Sequence, residues 1–515
     1  MDGALVAVLI GVTVAGTVWR YIIYPLFLSP LASVPAASPI ARFSTLWIEW
    51  HRLRGTDFQV ISAAFAAKGP YVLVSPRELA INDMDAVNCV WGTGSTDFDK
   101  HPSYDYWATQ GSLNTFTSVL GPEHRRRHKR IRGVHNRAFI GSSPHIRENM
   151  RNLMVNRVIP VLDNIAASPE GAENVLPIAQ SMILDCTSAF AFGVPLSLEF
   201  VLNPKALREW LDLFAIAFPT DQASFWLREH PRLTKYLCML GVPLVSKDMA
   251  SARRQFEAWA LPKVDGAEEI LKRRDQGQAI EAGQLPVLYD AVRTDLAKSQ
   301  TGAEKVGFLM TEAQRRELAS ECLDHIAFTA EAFGTVFTYM VYELSHHPEI
   351  QSELREELRS ITNPLLDTEN PTDIPHSQTL ERMPLLGAVI KECLRLRNTS
   401  PNADPRVSPS NCSCRIGALE SVPPDPLTWD PKRWLEEGRG DAAAMKKWFF
   451  AFGAGSRQCI GQHIAVELFR VSLATVYTRY ATSIVDETGY PGRNKPMSPA
   501  VNEKLVVKFE KMPLK

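Results

Sequence analysis

The longest regular pattern of apolar positions begins after Thr311. The run T-E-A-Q at Thr311–Gln314 has the form of a helix capping box, and Leu318, Cys322, Ile326, Thr329, Phe333, Phe337, Met340 and Leu344 follow at steps of three and four. That spacing keeps one face apolar as far as His347, where Pro348 ends it. It predicts a single helix longer than about 50 Å, enough to cross a whole domain. A second helix is predicted from Pro384 to about Leu396, and a third after Gly461, over IAVELFRVSLATVY. Strand-like stretches are short and few, chiefly YVLVS at 71–75 and KLVVKF at 504–509. The pattern predicts a mainly α fold with a minor β-sheet.

A different pattern opens the chain. Residues 4–19 carry no charge, and after Arg20 the apolar run resumes as YIIYPLFL. With Arg20 reaching toward an interface, residues 4 to about 24 meet the roughly 20 needed to span a bilayer. A cleaved signal peptide fits poorly, because Asp2 precedes the apolar run and the basic residue follows it. Arg20, Arg42, Arg52 and Arg54 follow the span, which predicts a cytosolic body. Pro25, Pro30, Pro35 and Pro39 then punctuate a stiff hinge. The expected organisation is an anchor at 1–28, a hinge at 29–45 and one large cytosolic domain at 46–515.

Composition narrows the function classes only slightly. The chain has 515 residues, 45% hydrophobic and 22% charged, an ordinary globular balance with ample core material. A formal net charge of -1 gives no global reason to expect a nucleic-acid partner. Eight cysteines without regular spacing imply a reducing compartment. Cys412 and Cys414 form C-x-C in what reads as a polar loop, with no second pair to complete a metal site.

One cysteine stands apart. In FGAGSRQCIG, Phe452–Gly461, Cys459 precedes a helix whose N-terminal dipole favours negative charge. Arg457 lies two residues away, and the glycines let backbone N–H groups approach. These features favour a thiolate over a thiol, hence a ligand or a nucleophile. A buried inert cysteine would not need them. A nucleophile would want a base, and His463 is the one near neighbour. The partial G-x-G lacks the third glycine of a dinucleotide loop.

The stretch FGAGSRQCIG resembles the F-x-x-G-x-R-x-C-x-G haem loop of the cytochrome P-450 family, with Phe452, Gly455, Arg457, Cys459 and Gly461 all in place. The resemblance implies the cytochrome P-450 fold and a b-type haem (heme b) whose iron takes the Cys459 thiolate as axial ligand. Glu392 and Arg395 in KECLRLR resemble the family's E-x-x-R helix, and Arg433 in DPKRW its third partner, a structural brace behind the haem loop. Six Arg and Lys crowd HRRRHKRIR at 124–132, otherwise a solvated helix face. By analogy His128 and Arg132 would hold a haem propionate, with His124 and His128 as a competing register, and Arg406 would be a further propionate partner.

The sequence also departs from the family. Counting back from Pro348 puts Phe328, Thr329, Ala330, Glu331, Ala332 and Phe333 where A-G-x-D/E-T-T is usual. The acid is present as Glu331, but Ala332 replaces the threonine that helps deliver protons to iron-bound dioxygen. Thr329, Thr335 or a substrate hydroxyl could substitute. The stretch from Arg395 to Arg433 is short, and 416–423 lacks the usual strand turn.

The resemblance implies a monooxygenase that uses dioxygen and NADPH-derived electrons to hydroxylate, epoxidise or further oxidise a hydrophobic small molecule. The substrate class expected is a polyketide, polyketide–amino acid hybrid or terpenoid of fungal secondary metabolism. Electrons would come from NADPH-cytochrome P-450 reductase, a flavoprotein docking near Lys446 and Lys447. The enzyme would be a monomer on the endoplasmic reticulum membrane, single-pass, with no nucleic-acid partner. Substrate walls are expected from 100–120, 210–245, Phe328, Ala332 and Phe333. The alternatives are a haem-thiolate enzyme of dehydration, isomerisation or ring formation, and a membrane-tethered haem-binding protein without turnover.

Overall fold

The computed structural model describes residues 3–91, 98–111, 114–117, 121–220, 222–299, 310–366, 368–397, 405–408, 413–416, 428–435, 442–488 and 504–513. Helices dominate, as the periodicity predicts. The Val175–Phe192 helix packs along Thr329–His346, and Gln462–Arg479 closes the same core. Val175–Phe192 is apolar enough to pass for a membrane span, but most of it is buried inside the fold. A helix apolar all round belongs in a core, and this one is central to it.

The helix predicted to run unbroken from Thr311 to His347 is two helices, Glu312–Ala327 and Thr329–His346. The capping box at Thr311 forms as expected. At Phe328 the backbone leaves helical geometry (φ −91°, ψ −1°), and the Thr329 hydroxyl donates to the Ile326 carbonyl at 2.8 Å. A side chain inserted in the ladder and a large ring drawn sideways account for the break. Phe328 packs against Trp107, Phe116, Phe214 and Phe218.

Eight strands form two sheets among the described residues: β1 Tyr71–Ser75, β2 Glu78–Ile81, β3 Asp99–Lys100, β4 Ala172–Asn174, β5 Arg406–Val407, β6 Ser413–Ile416, β7 Tyr480–Asp486 and β8 Val506–Lys511. The larger sheet has the order β1-β2-β6-β5-β3, and β4-β8-β7 is separate. Cys414 is therefore a buried residue of strand β6, not part of a polar loop; Cys412 and 417–423 lie outside the described residues. Antiparallel pairing sets Lys100 opposite Arg406, bringing two cations to one sheet edge.

At the N-terminus, Gly3–Val18 continues as Trp19–Leu28, wound more loosely around Pro25. The span 4–28 is 25 residues long, with none of its most apolar stretch buried in the fold. At about 1.5 Å per residue it exceeds the roughly 30 Å of bilayer hydrocarbon. The proline segment that follows docks on the body: Arg42 donates to the Ala32 and Val34 carbonyls at 2.8 Å, and Ala36 bridges to Leu73.

Candidate functional site

Gly453 and Gly455 take φ of +70° and +67°, left-handed conformations that a side chain would strain. They turn the chain so that the Cys459 N–H donates to the Phe452 carbonyl at 2.8 Å. The helix Gln462–Arg479 starts immediately after, and the N–H groups of Gly461 and Gln462 point at the sulfur. A Cβ at Gly461 would stand 3.9 Å from Sγ. Cys459 is open to a cavity of about 820 Å³, which Phe452 and Gly461 also line. Burial outweighs the two N–H groups and holds the thiol above its ordinary value, so the loop by itself does not favour the thiolate that the sequence predicts; a bound cation would.

Arg457 does not direct its charge at the sulfur, as its sequence position suggests. Its Nη2 donates to Asp99 at 2.9 Å, and burial with nearby Arg406 lowers it to about 10. Its Nη1 is buried without a hydrogen-bond partner. Lys100, His124, His128 and Arg406 line the same cavity. His128 is held neutral by burial and by the charges of Arg132, Arg457 and Lys100. Arg132 itself is exposed and outside the lining, while His124 stacks on His128 at 5.6 Å. This donor set suits the two carboxylates of a haem: an orphaned guanidinium nitrogen, a second arginine, a lysine and two imidazoles around one cavity with a thiol at its floor.

The opposite wall is the broken helix pair. Asp324, Phe328, Ala332 and Val336, four residues apart, face the cavity together with Thr329 and Phe333. Ala332 presents a methyl group, and the Thr329 hydroxyl is taken by the Ile326 carbonyl. Glu331 is half-buried and beside the lining, with burial pushing it up to about 7. Sequence reasoning missed Asp324, whose carboxyl is pushed well up by burial and by Glu321. Its four-residue step to Phe328 and Ala332 was the available signal.

The basic stretch is not a solvated face throughout. Arg127 and Arg130 on the Gly121–His135 helix turn inward, and Arg130 reaches Glu317 and Glu321 at 2.6 Å each, locking this helix to Glu312–Ala327. Behind the cysteine loop, fully buried Glu392 accepts from Arg395 at 2.7 and 2.8 Å and from Arg433 at 3.0 Å. The Asp430 N–H and the Trp434 indole complete its shell. The expected three-residue brace is present.

The family model of cytochrome P450 matches residues 71–507. Similar proteins include the cytochrome P450 monooxygenases aneF of Aspergillus aculeatus (26% identical, covering 90% of this chain and 91% of that protein) and ankB of Aspergillus thermomutatus (23%; 92% and 88%). Another is the tryptophan 6-hydroxylase fscE of Fusarium equiseti (24%; 90% and 88%). With the family model spanning most of the chain, and a glycine-turned cysteine facing a cavity ringed by cations, this protein belongs to the cytochrome P450 family.

Proposed function

We propose that the chain is a monooxygenase acting on a hydrophobic small molecule in a fungal secondary-metabolite pathway. One oxygen atom of dioxygen enters the substrate and the other leaves as water, with two electrons from NADPH through a flavoprotein reductase and two protons. The haem, when bound through Cys459, supplies the dioxygen chemistry. Arg406, Arg457 and His128 hold its carboxylates, with Arg132 adding charge behind His128. Phe328 and Phe333 give the substrate an apolar wall. Glu331, protonated near neutral pH, is the proton reservoir, and Thr329 or substrate takes the place of the alcohol missing at Ala332. The N-terminal span holds the body on the cytosolic face of the endoplasmic reticulum, and exposed Lys446 contributes to a reductase-facing surface.

The observation that carries this reading is Cys459, open to a mainly apolar cavity at the start of a helix, with cations ringing the same space. Ala332 also supports a second reading, a haem-thiolate enzyme of dehydration, isomerisation or redox-neutral ring formation, because none of these needs proton delivery to dioxygen. NADPH and dioxygen consumption in the presence of reductase, with product mass, separates the two. A product heavier by one oxygen and stoichiometric NADPH use are expected; an isomeric or dehydrated product formed without NADPH would sink the first reading.

A further inference from the structure

The cavity that holds Cys459 is also lined by residues of the helices Leu46–Arg54 and Gln222–Glu229. Arg228, on the second of these helices, is half-buried and lines the cavity. Its Nε is buried with no hydrogen-bond partner, and no carboxylate pairs with it among the described residues. Its guanidinium lies over an aromatic face, the Trp107 ring, at 5.9 Å. The backbone beneath it is fixed, because Glu229 meets Arg52 and His230 meets Glu49, each at 3.6 Å. Of the carboxylates lining the cavity, Glu229 is turned to Arg52, Asp57 is buried at the start of its helix, and Asp324 stands beside Lys100.

Trp107 connects this cation to the haem side. Its ring meets Phe328 edge-on at 4.9 Å, and Phe328 lies nearly parallel to Phe116 at 5.9 Å. Ala332 follows one turn further along the cavity wall. The cavity wall thus carries a cationic hydrogen-bond donor at Arg228, flat aromatic surfaces linked through Trp107, and the sulfur of Cys459.

We propose that Arg228 is the substrate anchor and that the substrate is an aromatic carboxylate, its acid group on Arg228 and its ring system against Trp107, Phe116 and Phe328. A guanidinium that no carboxylate pairs with among the described residues is matched by a carboxylate, which it can grip through two parallel N–H donors. The aromatic walls favour a planar ring by offset or edge-on packing over a flexible aliphatic chain. Holding the acid on Arg228 leaves the remote ring system to face the haem, so oxidation falls away from the carboxylate. This inference rests on the monooxygenase reading and names the substrate class for that same site.

The test is binding to the full-length, haem-loaded protein in detergent, followed by the Soret shift and by tryptophan fluorescence. The probes are 2-naphthylacetate, its methyl ester and decanoate. The acid should bind about 10- to 100-fold more tightly than the ester, the range expected of a charge-assisted hydrogen bond. It should also bind more tightly than decanoate. Arg228→Gln should remove the acid's advantage, Arg228→Lys should restore part of it, and Arg54→Gln, lining the same cavity but stacked on Trp50 at 4.6 Å, should leave it within about twofold. Equal binding of acid and ester, or no binding of the acid, overturns the anchor. Decanoate binding as tightly as the naphthyl acid overturns the aromatic class. The reduced carbon monoxide spectrum of each variant reads the thiolate-bound haem independently, so a failed anchor and a failed monooxygenase reading are distinguishable.

Discussion

Replacing Arg130 with methionine should destabilise the protein far more than removing any other cation of the 124–132 stretch, and the loss should depend on pH. The Arg130 side chain is 0% exposed, as is Glu321, and their 2.6 Å contact is matched by a second to Glu317. Removing one partner of a buried pair typically costs about 3–5 kcal/mol, because the remaining charge is left uncompensated. Arg127, with Nη1 4.0 Å from Glu321, stays in place and moves the expectation to the lower end, about 3 kcal/mol. Methionine keeps most of the apolar stem, so the loss reports charge rather than packing.

The pH dependence follows from Glu321. Burial is the largest influence and raises its carboxyl, but the charges of Arg130 and His325 and hydrogen bonds from Thr115 and Arg130 together hold the group below its ordinary value. In the native protein this stabilisation is present above the unfolded carboxylate pKa, about 4.3, and is lost as pH falls through the folded value. Without Arg130 the largest opposition to burial is gone, leaving His325, Thr115 and the more distant Arg127, so the carboxyl rises and the variant gains stability as pH falls. The gap between native and Arg130→Met protein should therefore be widest at pH 8 and narrow by pH 5. Urea unfolding of the detergent-solubilised chain, read by tryptophan fluorescence at both pH values, measures it. A loss below about 1 kcal/mol, or a gap that does not change with pH, would refute the reasoning. Arg126→Met, whose pair with Glu123 is half exposed, serves as the near-neutral control.

Other consequences concern the brace and the proton path. Glu392→Gln removes the charge that faces Arg395 and Arg433 and should cost about 3–5 kcal/mol, with a lower haem content measured by absorbance ratio. Glu331, raised to about 7 by burial, should make turnover fall as pH rises through neutrality, and Glu331→Gln should flatten that limb of the profile. An unchanged limb would remove Glu331 from the proton path. Ala332→Thr should raise the fraction of NADPH converted to product, measured against peroxide release; no change in that ratio would mean proton delivery does not pass position 332.

Much of this architecture was legible because it is written in local pattern. The Thr311 cap, the helices at Pro384–Leu396 and Gln462–Arg479, and the strand at 71–75 follow from spacing and punctuation within each segment. The cysteine loop was legible because its two positive-φ glycines can be few other residues. What pattern could not show is where partners come from elsewhere in the chain. Arg130 reads as one more surface charge until Glu317 and Glu321 arrive from nearly 190 positions away. Phe328 reads as a helical residue until Trp107 and Phe116 draw it out. Cys414 reads as loop until β2 and β5 flank it.

The central claim is a bond between the Cys459 sulfur and haem iron. The most direct measurement is the reduced carbon monoxide difference spectrum of the purified full-length protein beside Cys459→Ser. The native protein should give the red-shifted Soret band of a thiolate-ligated haem, and the variant should lose it while keeping the helical content of the fold. A Cys459→Ser protein that kept the band would contradict the account.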